Sequence, residues 1–374
     1  MSPSKIGTRG AFLSVNDIKN SGRTQLADQR PLPVVFGCLQ TDLSATERRF
    51  FENFNPFGFI LFKRNCHSPE QVRRLIKELR FAVGRDDAPI FIDQEGGRVA
   101  RLQPPHWSSY PAARLYAITY KKDPEWATEA LKLYSRVVAN DLASLGITVN
   151  CAPVVDLFYQ GASPAIGDRA FSRKPAVTAA LARLQAETFL ENGILPVIKH
   201  FPGHGRLRVD PHEAVPTINA TLAELESDDF VPFELLKDLP IGMNSHAIFT
   251  ALDPHNPASL SSYVQQEIIR GRLGFDGLLL SDDIVMKALQ GTIGDLARRA
   301  QVAGSEIILH CSGEMEQMLA VVHGLEPISD ATLQRWEHAK AMVKPADPNY
   351  NPREDIARLD ILLGGMAYDE KPIG

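Results

Sequence analysis

The chain has 374 residues, of which 44% are hydrophobic and 23% are charged. These values are ordinary for a globular protein and sufficient for a large core. The 40 basic and 45 acidic side chains give a net charge of −5, which argues against a protein that binds nucleic-acid phosphates or anionic membranes through a basic surface.

The start of the chain and the cysteines indicate a cytoplasmic protein. Residues 1–30 carry no clear hydrophobic periodicity, so we expect an N-terminal extension, and they contain no apolar segment of the kind found in signal peptides. No apolar run approaches the roughly 18 residues of a membrane span. The four cysteines form no C-x-x-C pair, so neither a disulfide framework nor a zinc knuckle is predicted.

Eight short apolar runs between residues 31 and 340 predict β-strands. Because these runs are apolar throughout, they fit strands that are buried on both faces, as in a parallel sheet. The predicted strands are Val34–Gln40, Phe59–Lys63, Ile90–Gln94, Thr148–Pro153, Pro196–Phe201, Gly242–His246, Gly277–Ser281 and Glu306–His310.

Amphipathic segments between these runs predict helices. Pro69–Val83 follows Ser68, a favourable N-cap, and has proline at its first position. Three further segments end immediately before a glycine, the usual C-terminal stop. They are Trp126–Leu145, Ala176–Asn192 and Ser262–Leu273.

Eight strand–helix units predict one domain, a (β/α)₈ TIM-type barrel over residues 31–340. An open, doubly wound sheet is the structural alternative, but no G-x-G-x-x-G follows the first strand. Residues 341–374 are predicted to be a C-terminal extension with one short helix near Ile356–Leu363.

Polar residues follow five of the predicted strands. In a barrel these positions ring the C-terminal mouth, where active sites of this fold lie. A single charged strand end usually serves a turn or a helix cap, whereas five together predict a polar site. The segments are Asp93–Arg101, the region of Asp156, Lys199–Gly205, Asn244–His246 and Ser281–Asp283.

The histidines of this region also raise the possibility of a metal site. Three imidazoles and a carboxylate can bind zinc or iron, and the candidates are His200, His204 and His212 with Asp210 or Asp282. Barrel metallohydrolases usually begin with His-x-His on the first strand, which is missing here. We therefore expect no metal and no other cofactor.

Four motifs together resemble glycoside hydrolase family 3, and specifically its single-domain β-N-acetylglucosaminidases of the peptidoglycan-recycling type. The segment Lys-His-Phe-Pro-Gly-His-Gly at 199–205 is specific, and the resemblance extends from Val34 to Leu325. Other family members carry a second domain that supplies the acid, so the resemblance implies a loop acid here. The motifs are Asp-Gln-Glu-Gly-Gly-Arg-Val at 93–99, the 199–205 segment, Asp-x-His at 210–212 and Ser-Asp-Asp-Ile-x-Met at 281–286.

The resemblance implies a role for each matching residue. Asp282 corresponds to the nucleophile that forms a covalent glycosyl-enzyme, and His212 to the general acid/base, with Asp210 as its dyad partner. Pro211 departs from the pattern, because a small polar residue is expected between the dyad members, and proline restrains Asp210 to extended conformations. The residues that match sugar-hydroxyl contacts are Asp93, Arg101, Arg169, Lys199 and His200.

The chemistry of these side chains is consistent with those roles. Carboxylates serve as covalent nucleophiles, and an imidazole, with an ordinary pKa near 6.5, can donate and then accept a proton near neutral pH. Asp283 is the rival nucleophile. Since alternate residues of a strand face opposite ways, we expect only one of Asp282 and Asp283 to face the mouth.

The resulting expectation is a retaining exo-β-N-acetylglucosaminidase. It would remove terminal N-acetylglucosamine from muropeptide fragments that carry 1,6-anhydro-N-acetylmuramic acid, as a monomer with a small-molecule sugar substrate and no nucleic-acid or membrane partner. Two alternatives stay open at this point. One is a phosphorylase of the same fold, and the other is a catalytically silent sugar-binding barrel.

Overall fold

A computed structural model describes residues 30–208, 215–286 and 289–365. Its centre is a barrel-like sheet of parallel strands with eight strand positions, which confirms the predicted fold class. The strands are β1 Leu32–Gly37, β2 Pro56–Leu61, β3 Ile90–Ile92, β4 Val149–Asn150, β5 Leu195–Pro196 with Ile198–Phe201, β6 Ile241–Asn244, β7 Leu278–Asp283 and β8 Ile307–His310.

The fifth strand joins the two ends of the sheet. Around the ring the strands follow the order β4-β3-β2-β1-β8-β7-β6-β5. Leu195–Pro196 pairs with β4, and Ile198–Phe201 pairs with β6. The strands are apolar because they are covered on both faces. All six residues of β2 are buried, and the buried apolar side chains of β1 and β2 belong to one continuous core.

Several strands are shorter than the sequence predicts. The predicted strand Thr148–Pro153 is a strand only at Val149–Asn150, and Pro153, which has no N–H to donate to a ladder, lies beyond its end. The predicted strand Ile90–Gln94 ends at Ile92, and Gln94–Gly96 instead begins a small antiparallel hairpin with Val99–Ala100. This hairpin brings polar side chains over the mouth of the barrel.

Helices surround the strands. Ser68 caps α2 as predicted, its Oγ accepting a hydrogen bond from Gln71 N at 3.3 Å. The predicted α-helix Ser262–Leu273 is instead a π-helix, α7. The main helices are α1 Ala45–Phe54, α2 Pro69–Val83, α3 Ala113–Tyr120, α4 Pro124–Leu145, α5 Pro175–Glu191, α6 Phe230–Leu235, α7 Tyr263–Arg272, α8 Ile293–Ala303, α9 Met315–Gly324, α10 Asp330–Met342 and α11 Pro352–Gly365. None of the helices in the described ranges has the length and hydrophobicity needed to cross a membrane.

The last helix, α11, is longer than the predicted Ile356–Leu363 and is docked on the barrel. Leu359 and Leu362 are buried, and Trp126 Nε1 of α4 donates to Leu362 O at 3.1 Å. Arg136 of α4 forms an ion pair with Asp355. This part of the C-terminal extension is therefore held by α4.

Candidate active site

A cavity of about 250 Å³ lies at the C-terminal ends of the barrel strands. Apolar walls, including Ile60, Phe62 and Leu309, enclose a group of charged side chains. The six site residues predicted within the described ranges all line this cavity: Asp93, Arg101, Arg169, Lys199, His200 and Asp282.

A larger hollow of about 550 Å³ lies elsewhere, beneath β7 and β8. Its charged side chains are paired with each other: Arg270 and Arg335 both contact Glu306, at 2.7 and 2.8 Å. Charges that are satisfied in this way indicate a structural network at the N-terminal face of the barrel. The smaller cavity at the mouth is therefore the better candidate for an active site.

Lys199 stands at the centre of a buried ionic cluster. Its ammonium lies 2.9 Å from Asp93 Oδ1 and 2.7 Å from Glu95 Oε1, and its side chain is only 2% exposed. Arg101 donates to the second oxygen of Asp93 at 3.0 Å, and Arg169 donates to both oxygens of Glu95 at 2.7 and 2.8 Å. A bidentate contact such as that between Arg169 and Glu95 fixes the orientation of both side chains and pairs their charges.

The cluster is ionised. Burial opposes the charge of Asp93, but Lys199 and Arg101 outweigh it and hold the pKa of Asp93 well below its usual range. The pKa of Glu95 is likewise lowered, against burial, by Lys199 and Arg169. In return the two carboxylates raise the pKa of Lys199 although burial lowers it. Three cations and two anions give this wall of the cavity a net positive charge.

Asp282 and Asp283 both contribute to the cavity wall, contrary to the expectation that only one of them faces the mouth. The pairing register shifts between Leu280 and Asp283, where β7 leaves β8, so strict alternation no longer applies. Asp282 Oδ1 accepts a hydrogen bond from Asp283 N at 2.8 Å. Asp283 Oδ1 accepts from Val285 N and Cys311 N, at 3.3 and 3.1 Å.

The two carboxyls differ in how readily they ionise. Burial opposes ionisation of Asp282, yet His200, His246 and the N–H of Asp283 lower its pKa. Burial raises the pKa of Asp283 to about 6, against the pull of its backbone donors. Asp282 is therefore the more readily ionised carboxyl of the pair, while Asp283 ties the end of β7 to the end of β8.

Histidines surround Asp282, and their hydrogen bonds define their tautomers. His246 Nε2 donates to Asp283 O at 3.0 Å, and its Nδ1 accepts from Ser259 Oγ at 2.6 Å. Burial lowers the pKa of His246, which favours the neutral form of its ring. His200 Nδ1 lies 2.6 Å from Asp156 Oδ2. His204 packs edge-on against His200, and burial lowers its pKa to about 4.

Asp210, Pro211 and His212 lie outside the described residues. The chain on both sides of residues 209–214 is anchored at the mouth. On one side Leu207 O accepts from Ser163 N at 2.6 Å, and on the other Pro216 O accepts from Ile248 N at 2.8 Å. The predicted roles of Asp210 and His212 thus stay predictions from the sequence.

Sequence reasoning missed Glu95 and the partner role of Asp156. Both lie within or beside segments that the sequence singled out, and both are buried acids, which is itself a signal because a buried carboxylate needs a partner. What the sequence does not show is the partner, since Arg169 and His200 come from other strand–loop units. Within the described ranges no group of three His, Cys, Asp or Glu side chains is arranged to hold a metal ion.

Comparison with known sequences gives a consistent family match. Residues 35–338 match the profile described as "Glycosyl hydrolase family 3 N terminal domain". A "Beta-hexosaminidase" from Alkalilimnicola ehrlichii is 35% identical over 342 residues, which cover 85% of this chain and 97% of that protein. Another, from Thioalkalivibrio sulfidiphilus, is 36% identical over 318 residues and covers 83% and 90%.

Solved structures show the same similarity. NagZ from Neisseria gonorrhoeae, in complex with N-trifluoroacetyl-D-glucosamine, superposes with a TM-score of 0.79 at 28% identity, covering 89% of this chain and 98% of that one. A glycoside hydrolase family 3 β-N-acetylglucosaminidase from Paenibacillus has a TM-score of 0.75 at 27% identity, covering 88% and 67%.

Proposed function

The chain belongs to glycoside hydrolase family 3, and we propose that it is a retaining exo-β-N-acetylglucosaminidase. The observation that carries this proposal is the cavity at the barrel mouth, where an ionised Asp282 lies opposite a buried ionic cluster. The names of the relatives and of the superposed NagZ structure support N-acetylhexosamine as the sugar.

Asp282 is the proposed nucleophile. One of its oxygens is held by the N–H of Asp283, which leaves the other oxygen for attack on the anomeric carbon. Neighbouring His200 and His246 favour the charged form of Asp282. The carboxylate can therefore attack without first losing a proton. A covalent glycosyl-enzyme on this residue divides the reaction into two steps and retains the anomeric configuration.

The ionic cluster provides the proposed sugar-binding wall. Sugar hydroxyls both donate and accept hydrogen bonds, so they can bridge the carboxylate of Asp93 and the donors of Arg101 and Lys199. These side chains are already locked by their mutual ion pairs. Prior ordering of the site reduces the entropy lost when the sugar binds. We propose that Arg169 and His200 complete this wall.

His212 is the proposed acid/base, with Asp210 as its partner. The described chain on both sides of residues 209–214 is held at the mouth. This supports the proposal that His212 reaches the leaving-group oxygen of the bound substrate. An imidazole can protonate that oxygen and then accept a proton from the attacking water. We further propose muropeptide fragments with 1,6-anhydro-N-acetylmuramic acid as substrates, a monomer, and a location in the cytoplasm.

The test is hydrolysis of a chromogenic N-acetyl-β-glucosaminide by the wild type and two isosteric variants. We expect Asp282→Asn to lose at least about 10³-fold in kcat, equivalent to about 4 kcal/mol, because the nucleophile is removed. Asp283→Asn keeps an acceptor for Val285 N and Cys311 N and is expected to retain more activity. A wild type without glycosidase activity, or the reverse order of the two variants, contradicts the proposal.

The natural leaving group and the acceptor need separate measurements. Purified GlcNAc-anhydro-N-acetylmuramyl peptides are expected to be cleaved with a higher kcat/KM than the chromogenic substrate. Analysis of the product in phosphate buffer should show free N-acetylglucosamine, and a sugar phosphate as main product would instead identify the phosphorylase alternative.

A further inference from the structure

Asp156 is a buried acid that no part of the proposed reaction uses. It follows β4, and its residue is 0% exposed. A carboxylate in such surroundings is costly unless its oxygens are hydrogen-bonded. Asp156 meets this condition through three contacts with the end of β5 and the loop that follows it, and these contacts are the basis of the inference.

The three contacts all come from two histidine residues. Asp156 Oδ2 lies 2.6 Å from His200 Nδ1, and Oδ1 accepts from His200 N at 3.3 Å and from His204 N at 2.6 Å. Burial works against ionisation of Asp156, but His200 and the backbone of His204 outweigh it and lower its pKa. The carboxylate is therefore an acceptor, and the short contact requires a proton on His200 Nδ1.

This requirement fixes the tautomer of the ring. When imidazole is neutral and Nδ1 carries the proton, Nε2 is a hydrogen-bond acceptor. His200 also lines the cavity next to Asp282, and among the hydrogen bonds of the described ranges its ring takes part only through Nδ1, in the contact with Asp156. That nitrogen is left for a ligand in the cavity.

We propose that Asp156 is a positioning residue that holds His200 in the Nδ1–H tautomer, so that Nε2 accepts a hydrogen bond from a hydroxyl of the bound sugar. Asp156 does not touch the sugar itself. It acts on His200 in the way that outer carboxylates orient histidine ligands of metals. The inference rests on the proposed function only for the identity of the ligand, because the tautomer is a property of the free protein.

The environment of His200 contains several other charged or titratable groups. These groups also lie at the barrel mouth, so Asp156 is one of several charged or titratable groups near the ring of His200. Asp282, His246 and His204 interact electrostatically with His200, and Arg169 and Lys199 line the same cavity. Because none of them is hydrogen-bonded to a ring nitrogen of His200, Asp156 alone selects the tautomer.

The first measurement reports the tautomer directly. In ¹⁵N-histidine-labelled protein, the side-chain signal of His200 is assigned by its absence in His200→Ala and is recorded at pH values where the ring is neutral. We expect Nδ1–H in the wild type and a shift toward Nε2–H in Asp156→Asn, whose amide can donate to Nδ1. An Nε2–H tautomer in the wild type overturns the proposal without any variant having to fold.

The second measurement is a double-mutant cycle on kcat/KM. Asp156→Asn is expected to lose about 10- to 100-fold, and to add no further loss when combined with His200→Ala, since its effect passes through that ring. Additive losses overturn the proposal. Asp355→Asn, which removes a buried ion-paired aspartate from α11, is the matched control and should leave kcat/KM unchanged.

These two measurements separate the inference from the proposed function. A wild type that binds or cleaves no N-acetylglucosaminide refutes the proposed function, while the ¹⁵N spectrum still decides the role of Asp156. Thermal unfolding of each variant shows whether it is folded. If Asp156→Asn does not fold, the spectrum of the wild type decides.

Discussion

Replacement of Lys199 by methionine tests the ionic cluster at the barrel mouth. Lys199 is 2% exposed and contacts both Asp93 and Glu95. Methionine preserves much of the side-chain length but removes the charge that these two buried carboxylates share. Each carboxylate keeps one arginine, Arg101 or Arg169. Breaking a buried ion pair from one side costs about 3–5 kcal/mol, so Lys199→Met should lower the free energy of unfolding by about this amount.

The corresponding change in melting temperature follows from chain length. Unfolding entropy is about 2.1 cal/mol/K per residue, which for 374 residues gives about 0.8 kcal/mol/K. A loss of 3–5 kcal/mol therefore corresponds to a fall of about 4–6 °C. Lys344→Met is the matched control, because that lysine is 68% exposed in its pair with Glu191, and exposed pairs contribute about 0–1 kcal/mol.

The pH dependence gives a sharper test of the same variant. The folded-state pKa values of Asp93 and Glu95 are lowered, so their contribution is fully present above their unfolded values of about 3.9 and 4.3 and is lost as pH falls. The pKa of Lys199 is raised, so its contribution is complete below about pH 10.4 and is lost as pH rises.

Urea unfolding at several pH values measures this dependence. The difference between wild type and Lys199→Met should be greatest between about pH 5 and pH 10 and should narrow below about pH 4. A difference that is the same at pH 3 and pH 7, or no difference at pH 7, would refute the assignment of Lys199 to a buried ionic cluster.

Three further predictions concern the surrounding structure. Gly205→Ala should destabilise the protein by about 1–3 kcal/mol and lower kcat/KM, because the added Cβ would clash with Leu157 O next to His204. Thermal unfolding and kinetics that match the wild type would contradict this prediction. Leu359→Ala should lower the free energy of unfolding by about 2–5 kcal/mol with unchanged kinetics, because Leu359 is fully buried and belongs to α11, which none of the site residues comes from. Excess chelator should leave activity unchanged, and a loss that zinc restores would show that a metal takes part.

The sequence allowed much of the fold to be predicted, because barrel strands that are covered on both faces are apolar throughout. Strand lengths were predicted less accurately, because β3 ends at Ile92, β4 ends at Asn150 and the fifth strand is divided after Pro196. The π-helix Tyr263–Arg272 could not be predicted, because it has the same residue types and the same glycine stop as an α-helix. The two helix types differ in the span of each backbone hydrogen bond, which is five residues in a π-helix and four in an α-helix.

The candidate site was predictable to the extent that its residues occur in continuous motifs after the strands. Lys199, His200 and Asp282 are of this kind. Two contacts join different strand–loop units: the ion pair between Arg169 and Glu95, and the contact between His200 and Asp156. They depend on distances in the folded barrel, which a sequence pattern does not give. Alternation failed at Asp282 and Asp283 for a similar reason, because the register shift at the end of β7 is a property of the packed barrel.

The most direct test of the central claim is to trap the covalent intermediate. Incubation with a slowly turning-over 5-fluoro-N-acetylglucosaminyl substrate, followed by peptide mass spectrometry, should show one glycosyl group attached to Asp282. Asp282→Asn should give no adduct. A glycosyl group on Asp283, or hydrolysis with inversion of the anomeric configuration and no adduct, would contradict the assignment of Asp282 as the nucleophile of a retaining glycosidase.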